Sequence, residues 1–276
     1  MSFVHEPASA QDPLASPSCV IALARDRQLA RVGADGSVQL PSLVDLAPWT
    51  AEREPPLYLG RVDSTACWLT AVASPDVEAP AGWAWHETRA LLQTTTPDQS
   101  QAIACARQLH WWRARHRFCG CCGTPTVEAS GERALRCPTC EASFFPSASP
   151  AVIVAITRGD RLLLAHNKSW RSSMFSLLAG FLDPGETLEQ AVAREVREEV
   201  GIAIGDIRYV TSQPWPFPNS LMAGFRAVHV AGEIEVDGKE IAEAGWFTRE
   251  ALPEVPRRGS VARELIDGWL REGQSR

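Results

Sequence analysis

The 276-residue sequence predicts an α+β chain built from three pieces, and three observations point there. Residues 19–96 break into short apolar runs separated by turn signals, which is the pattern of a β-rich domain. Five of the eight cysteines fall between 119 and 140, too concentrated for a stapled secreted scaffold. From Ala151 onward, strand-like runs flank one long charged helix, which predicts a mixed sheet with helices on its faces.

The elements follow in order. Residues 1–18, rich in Pro, Ala and Ser, are expected to form a flexible N-terminal tail. "CVIALARDRQLARVGADGSVQL" reads as two strands around Arg25-Asp26-Arg27 and a turn at Asp35-Gly36. "RVDSTACWLTAVA" reads as a further strand. Pro97-Asp98 opens a helix with Asp98 as the expected N-cap. Its apolar stripe is Ala102, Ile103, Ala106, Leu109 and either Trp111 or Trp112. In the C-terminal part, "AVIVAITRGDRLLLAHN" reads as strand, turn at Gly159-Asp160, strand. Strands near 207–212, 221–230 and 244–248 and a helix near 260–271 follow. The expected domains are 19–114 ending in a linking helix, 115–146 around the cysteines, and 147–276.

Bulk composition narrows the function classes. Hydrophobic residues make up 45% and charged residues 22% of the chain, enough to bury a sizeable core. A net charge of −6 argues against a general nucleic-acid binder, and DNA is not an expected partner. No apolar run is long enough for a bilayer, and the N-terminus lacks the layout of a secretory signal. The expectation is a cytoplasmic protein with no membrane partner.

Cys119, Cys122, Cys137 and Cys140 form two C-x₂-C pairs, the spacing of a zinc ribbon. Four thiolates close a tetrahedron and leave no open position, so one structural Zn²⁺ per chain is expected. Cys121 breaks the matched spacing and is read as a spectator.

Residues 180–202 read "GFLDPGETLEQAVAREVREEVGI". A Pro184-Gly185 turn leads into a helix that Gly201 ends. Leu188, Ala191, Val192, Val196 and Val200 form its apolar stripe. At about 100° per residue, Glu195, Glu198 and Glu199 fall within one arc of about 100° that adjoins this stripe. Carboxylates at the edge of a buried face need a positive partner. Mg²⁺ or Mn²⁺ suits such oxygen donors and in turn binds phosphate oxygens. A solvated charged face stabilised by Arg194 and Arg197 is the plainer reading of the helix alone.

The spacing Gly180-x₅-Glu186-x₇-Arg194-Glu195-Val196-x-Glu198-Glu199-x-Gly201-Ile202 resembles the Nudix box at every defined position. The resemblance implies a Nudix α/β/α sandwich with a mixed sheet. It implies Glu195, Glu198 and Glu199 as metal ligands or base, Ala179 as a backbone-carbonyl ligand, and a Glu186–Arg194 pair that orients the loop.

Downstream lies "SQPWPFPNS", residues 212–220. Three prolines exclude helix and central strand, so a stiff irregular segment is expected. By itself it reads equally as an aromatic shelf over a flat ligand or as a rigid core corner. It resembles the signature of the NADH pyrophosphatase subfamily, as does a zinc ribbon ahead of the Nudix domain. That resemblance covers about residues 115–275. It implies that Gln213, Pro214, Trp215, Pro216, Phe217, Pro218, Asn219 and Ser220 line a dinucleotide pocket. It further implies Phe181 as a ring that stacks on nicotinamide, Glu240 as an extra metal ligand, and Arg89, Glu132, Phe145 and Ala262 as substrate contacts. Where the subfamily commonly has Tyr, position 145 is Phe, which removes a hydroxyl. The implied activity is metal-dependent hydrolysis of NAD(H) to nicotinamide mononucleotide and AMP, including NAD caps on RNA, by a homodimer. Two alternatives are a Nudix hydrolase of ADP-ribose or another nucleotide sugar, and a zinc-ribbon RNA-binding protein with an inactive Nudix domain. The basic, aromatic stretch from Arg107 to Arg117 offers RNA contacts or, more plainly, a helix end whose cations complement its dipole.

Overall fold

The computed structural model describes residues 3–6, 17–50, 56–72, 77–170 and 172–274. It divides into one unit of residues 1–148 with 216–219, and a second of residues 149–215 with 220–276.

The first unit holds strands β1 (Phe3–His5), β2 (Ser18–Ala24), β3 (Arg27–Val32), β4 (Val38–Gln39), β5 (Leu57–Val62), β6 (Thr65–Ala71) and β7 (Ala84–Glu87). Its helices are α1 (Leu43–Thr50), α2 (Thr88–Leu91) and α3 (Pro97–Arg115). The sheet runs β1-β5-β6-β2-β3-β4, with β7 on β3; β2 and β6 are parallel. Side chains alternate across the sheet. Ile21 and Leu23 face a cluster with Ile103, Ala106, Leu109 and Trp112 of α3. Val20 and Ala22 face another with Leu43 and Leu46 of α1. Burial on both faces explains the unbroken apolar run in β2.

Two expectations change here and one open choice is settled. Most of 1–18 lies outside the described residues, but Phe3–His5 pairs with β5 as a strand, because Phe3 buries its ring in the core. The α3 cap is Thr96, not Asp98. The Thr96 hydroxyl accepts from Gln99 N, and the Gln99 side chain accepts from Thr96 N. Pro97 fills the first turn, where no N–H is needed. Of the two tryptophans, Trp112 is the fully buried one.

The cysteine segment forms a small antiparallel sheet of β8 (Val127–Glu128), β9 (Leu135–Arg136) and β10 (Ser143–Phe144). Leu135 and Phe144 pack into the α3 cluster.

The second unit holds β11 (Ser149–Arg158), β12 (Arg161–Asn167), β13 (Leu178–Phe181), β14 (Ala203–Trp215), β15 (Ser220–Ala231) and β16 (Ile241–Phe247). Helices α4 (Leu188–Val200) and α5 (Val261–Gln274) complete it. The sheet order is β14-β15-β11-β12-β16, with β13 on β11; β11 and β15 are parallel and the other pairs antiparallel. Val152, Val154 and Ile156 pack with Ala191, Val192, Val196 and Val200 of α4. Ile153 and Ala155 pack with Val261, Leu265 and Ile266 of α5. The two faces of β11 thus carry one helix each, giving the expected three-layer mixed-sheet sandwich.

"SQPWPFPNS" is more regular than expected. Ser212 to Trp215 end β14, and Ser220 opens β15 in register with Trp215. Prolines are tolerated because β14 is an edge strand that keeps one side free of ladder bonds. Only 216–219 form a turn.

Candidate active site

Strand β13 delivers Ala179, Gly180 and Phe181 beside the last turns of α4. Thr187 caps α4 in a reciprocal box with Gln190, and Gly201 ends it at φ 73°, in the left-handed region that glycine accepts without cost. These two ends fix where the glutamates of α4 emerge.

Arg194 is the knot of the loop. It meets Glu186 through two bonds, Nε to Oε1 at 2.6 Å and Nη2 to Oε2 at 2.8 Å. Nη2 also donates to the Phe181 carbonyl at 2.9 Å, and Nη1 to Glu195 at 2.9 Å and Glu198 at 3.2 Å. The hydrogen-bonded Arg194 guanidinium holds the Glu186 carboxyl down at about 2. Gly180 is required by space rather than by turn geometry. A Cβ there would lie 1.9 Å from Glu195 Cδ, inside the carboxylate.

Around this knot the acids gather. Glu199 is buried, and its Oε2 has no hydrogen-bond partner. Burial, then the neighbouring charges of Glu195, Glu240, Asp237 and Glu198, push its carboxyl from an ordinary 4.5 to about 8. Burial also raises Glu195, opposed by Arg194. Glu240 reaches this group because Asp237 organises its loop. The Asp237 carboxylate accepts from Glu240 N and Ile241 N, and Asp237 N donates to the Glu199 carbonyl. Asp237 was not singled out from the sequence; an Asp-Gly turn alone does not reveal what it packs against.

A buried, unpartnered carboxylate oxygen among acids that share a single arginine fits a divalent cation. Glu195, Glu198, Glu199 and Glu240 are its candidate side-chain ligands. On α4, Glu198 is the open member, at 62% side-chain exposure against 16% for Glu195, and Glu240 is exposed on its loop.

The ribbon cysteines converge more tightly. The ligand atoms of Cys119, Cys122, Cys137 and Cys140 all lie within 4.8 Å of one another; among the described residues no other set of three or more His, Cys, Asp or Glu does so. Three sulfur pairs stand 3.5–3.8 Å apart. Zn–S bonds of about 2.3 Å in a tetrahedron require sulfurs about 3.8 Å apart. Cys121 stays outside this set and is exposed.

The remaining predicted residues divide between the units. In the second, Gln213 Oε1 accepts from Val261 N and its Nε2 donates to the Gly259 carbonyl, both at 2.8 Å. This joins the proline–aromatic run to the start of α5. Ala262 is buried there. Pro214 is exposed, Trp215 half-buried and Phe181 57% exposed. In the first unit, Asn219 is buried with Oδ1 unpartnered, and Pro216 is buried while Pro218 is exposed. Arg89 and Arg107 lie over the Phe217 ring, 4.6 and 5.1 Å from its centroid. These side chains line a cavity of about 590 Å³ together with Arg25, Arg115 and Trp111. Glu132 and Phe145 sit exposed on the ribbon and do not line it. Arg107 was read only as part of a basic stretch. Its bonds to the carbonyls of Pro216 and Arg25 and to Asp26 span more than 80 positions, which no local pattern reveals.

Three family patterns match the chain: NUDIX domain over 148–267, NADH pyrophosphatase zinc ribbon domain over 114–145, and NADH pyrophosphatase-like rudimentary NUDIX domain over 17–112. The NAD-capped RNA hydrolase NudC of Stutzerimonas stutzeri is 43% identical over 226 residues, covering 80% of this chain and 81% of that protein. The chain belongs to the NudC family of Nudix hydrolases. A second NudC, from Citrobacter koseri, is 50% identical over 160 residues, 58% of this chain and 62% of its own. A solved NUDIX hydrolase from Nitrosomonas europaea shares the fold, with TM-score 0.50 and 23% identity over 58% of this chain and 93% of its own. The NudC match spans far more than the Nudix sandwich, in keeping with the three patterns together covering most of 17–267.

Proposed function

We propose that this chain hydrolyses the central diphosphate of NAD(H), giving nicotinamide mononucleotide and AMP, and removes NAD caps from RNA 5′ ends. The observation that carries this is the buried Glu199 carboxylate with Glu195, Glu198 and Glu240 close enough to raise its pKa. Membership of the NudC family and the "SQPWPFPNS" run select the dinucleotide over other diphosphates.

In this reading residues 147–276 carry the chemistry and 115–146 the structural zinc. Glu195, Glu199 and Glu240, with the Ala179 carbonyl, would hold Mg²⁺ or Mn²⁺, which would supply a water of lowered pKa and positive charge against the diphosphate. Glu198 takes the proton of the attacking water, its open position supporting that role. Arg194 and Glu186 keep the loop and the Phe181 carbonyl in place. Phe181 and the rings of the proline–aromatic run stack on the flat bases. Arg89, Glu132, Phe145 and Ala262 complete the contacts, those on the ribbon across a homodimer. Exposed Tyr209, Val210, Val228 and Val230 on β14 and β15 support a second copy. No described helix is long and apolar enough to cross a membrane, and a four-cysteine zinc ribbon suits a reducing compartment such as the cytoplasm.

The test is incubation of wild type and Glu198→Gln with NADH and Mn²⁺, with products identified by mass. The reduced mononucleotide plus AMP from wild type, absent with the variant, is the expected result. Intact NADH with wild type overturns the proposal; cleavage of ADP-ribose but not NADH moves it to the nucleotide-sugar alternative.

A further inference from the structure

Three of the eight cysteines lie outside the ribbon: Cys19 on β2, Cys67 on β6 and Cys105 on α3. Cys19 and Cys67 occupy directly opposed positions on neighbouring parallel strands. Their sulfurs stand 3.1 Å apart, against about 2.05 Å in a formed bond. Neighbouring strands run about 4.8 Å apart, inside the roughly 4.4–6.8 Å Cα window that a disulfide spans. About 1 Å of sulfur movement, by side-chain rotation, therefore closes the bond without shifting the sheet. Cys67 is fully buried and Cys19 half-buried, so Cys19 is the residue nearer solvent. The shared hydrogen bond holds the Cys67 thiol below its ordinary pKa and the Cys19 thiol above it.

We propose that Cys19 and Cys67 are a reversible redox pair that closes to a cross-strand disulfide with a low-molecular-weight disulfide as oxidant. Cys19, the less buried residue of the two, loses its proton to water and attacks one sulfur of the oxidant. A mixed disulfide forms at Cys19 and one thiolate leaves. Cys67 then releases its proton and attacks the Cys19 sulfur, and the second thiolate leaves. The two cysteines lose two electrons and two protons; the oxidant becomes two thiols. An excess of small thiol reverses the step by the same exchange run backwards. Cys105 shares the same core cluster, but its sulfur faces His5 Nδ1 at 3.8 Å.

The test treats the zinc-loaded full chain with excess oxidised glutathione, alkylates remaining thiols, and maps peptides without reduction. The expected result is a Cys19–Cys67 linked peptide, a protein lighter by two hydrogens, unchanged zinc content, and full reversal by dithiothreitol. In Cys67→Ser, glutathione stays on Cys19, which shows the order of attack independently of the closed product. Alkylation of both cysteines, glutathione retained on Cys19 of wild type, or a Cys67–Cys105 link would each overturn the proposal.

Discussion

Replacing Glu199 with Gln should stabilise the metal-free protein, and by an amount that depends on pH. Burial and four neighbouring acids hold the Glu199 carboxyl at about 8 in the folded chain, against an ordinary 4.5. Below 4.5 both folded and unfolded chains carry the proton and nothing is lost. As pH rises through the window from 4.5 to about 8, the unfolded chain gives up its proton while the folded chain keeps it. Stability attached to this residue therefore falls with rising pH, the reverse of a salt-bridged carboxylate. Each pH unit in the window corresponds to about 1.4 kcal/mol, so the deficit reaches about 1 kcal/mol at pH 5 and about 3 kcal/mol at pH 7. Glutamine is neutral at every pH and escapes it. Thermal melts in EDTA should show the variant gaining roughly 10 °C on wild type at pH 7 and much less at pH 5. Millimolar Mn²⁺ should raise wild type and leave the variant nearly unmoved, because the ionised carboxylate is then wanted. A variant no more stable than wild type at pH 7, or a gap that does not change with pH, would refute the reasoning.

Other perturbations follow from the same geometry. Gly180→Ala forces the Glu195 carboxylate aside, and a displacement of about 1 Å at a catalytic group costs roughly 100-fold in kcat; steady-state kinetics beside a preserved circular dichroism spectrum would check it. Cys137→Ser should lower bound zinc from one per chain to almost none and open the ribbon to protease first, measured by metal analysis and limited proteolysis. Phe217→Ala removes the ring beneath Arg89 and Arg107 and should raise KM for NADH about tenfold with a smaller change in kcat, since roughly 1 kcal/mol or more is lost on binding.

How far the sequence carried depends on how local each feature is. The α4 stripe, its Gly201 stop and the arc of three glutamates are all readable within 14 residues, because helical period and left-handed capping act locally. The ribbon ligands were legible for the same reason, each pair sitting on its own short turn. Cap choice at α3 failed between neighbours, since Thr96 and Asp98 are both good caps and only the Gln99 reciprocal bond decides. The regularity of the proline run is not legible locally, because a sequence does not say which strand lies at a sheet edge. Glu240 entered only through resemblance; its approach to Glu199 depends on the Asp237 loop folding back on the end of α4. Arg107, and the meeting of Cys19 with Cys67 across 48 positions, are products of tertiary pairing with no local signal.

The most direct measurement of the central claim uses RNA carrying a 5′-NAD cap beside free NADH, with Mg²⁺ or Mn²⁺, wild type and Glu198→Gln. The account predicts release of nicotinamide mononucleotide and a 5′-monophosphate RNA from the first substrate and cleavage of the second, both abolished in the variant. If wild type binds the capped RNA but leaves both substrates whole, the acid cluster is not a working centre. The chain would then be a zinc-ribbon RNA binder.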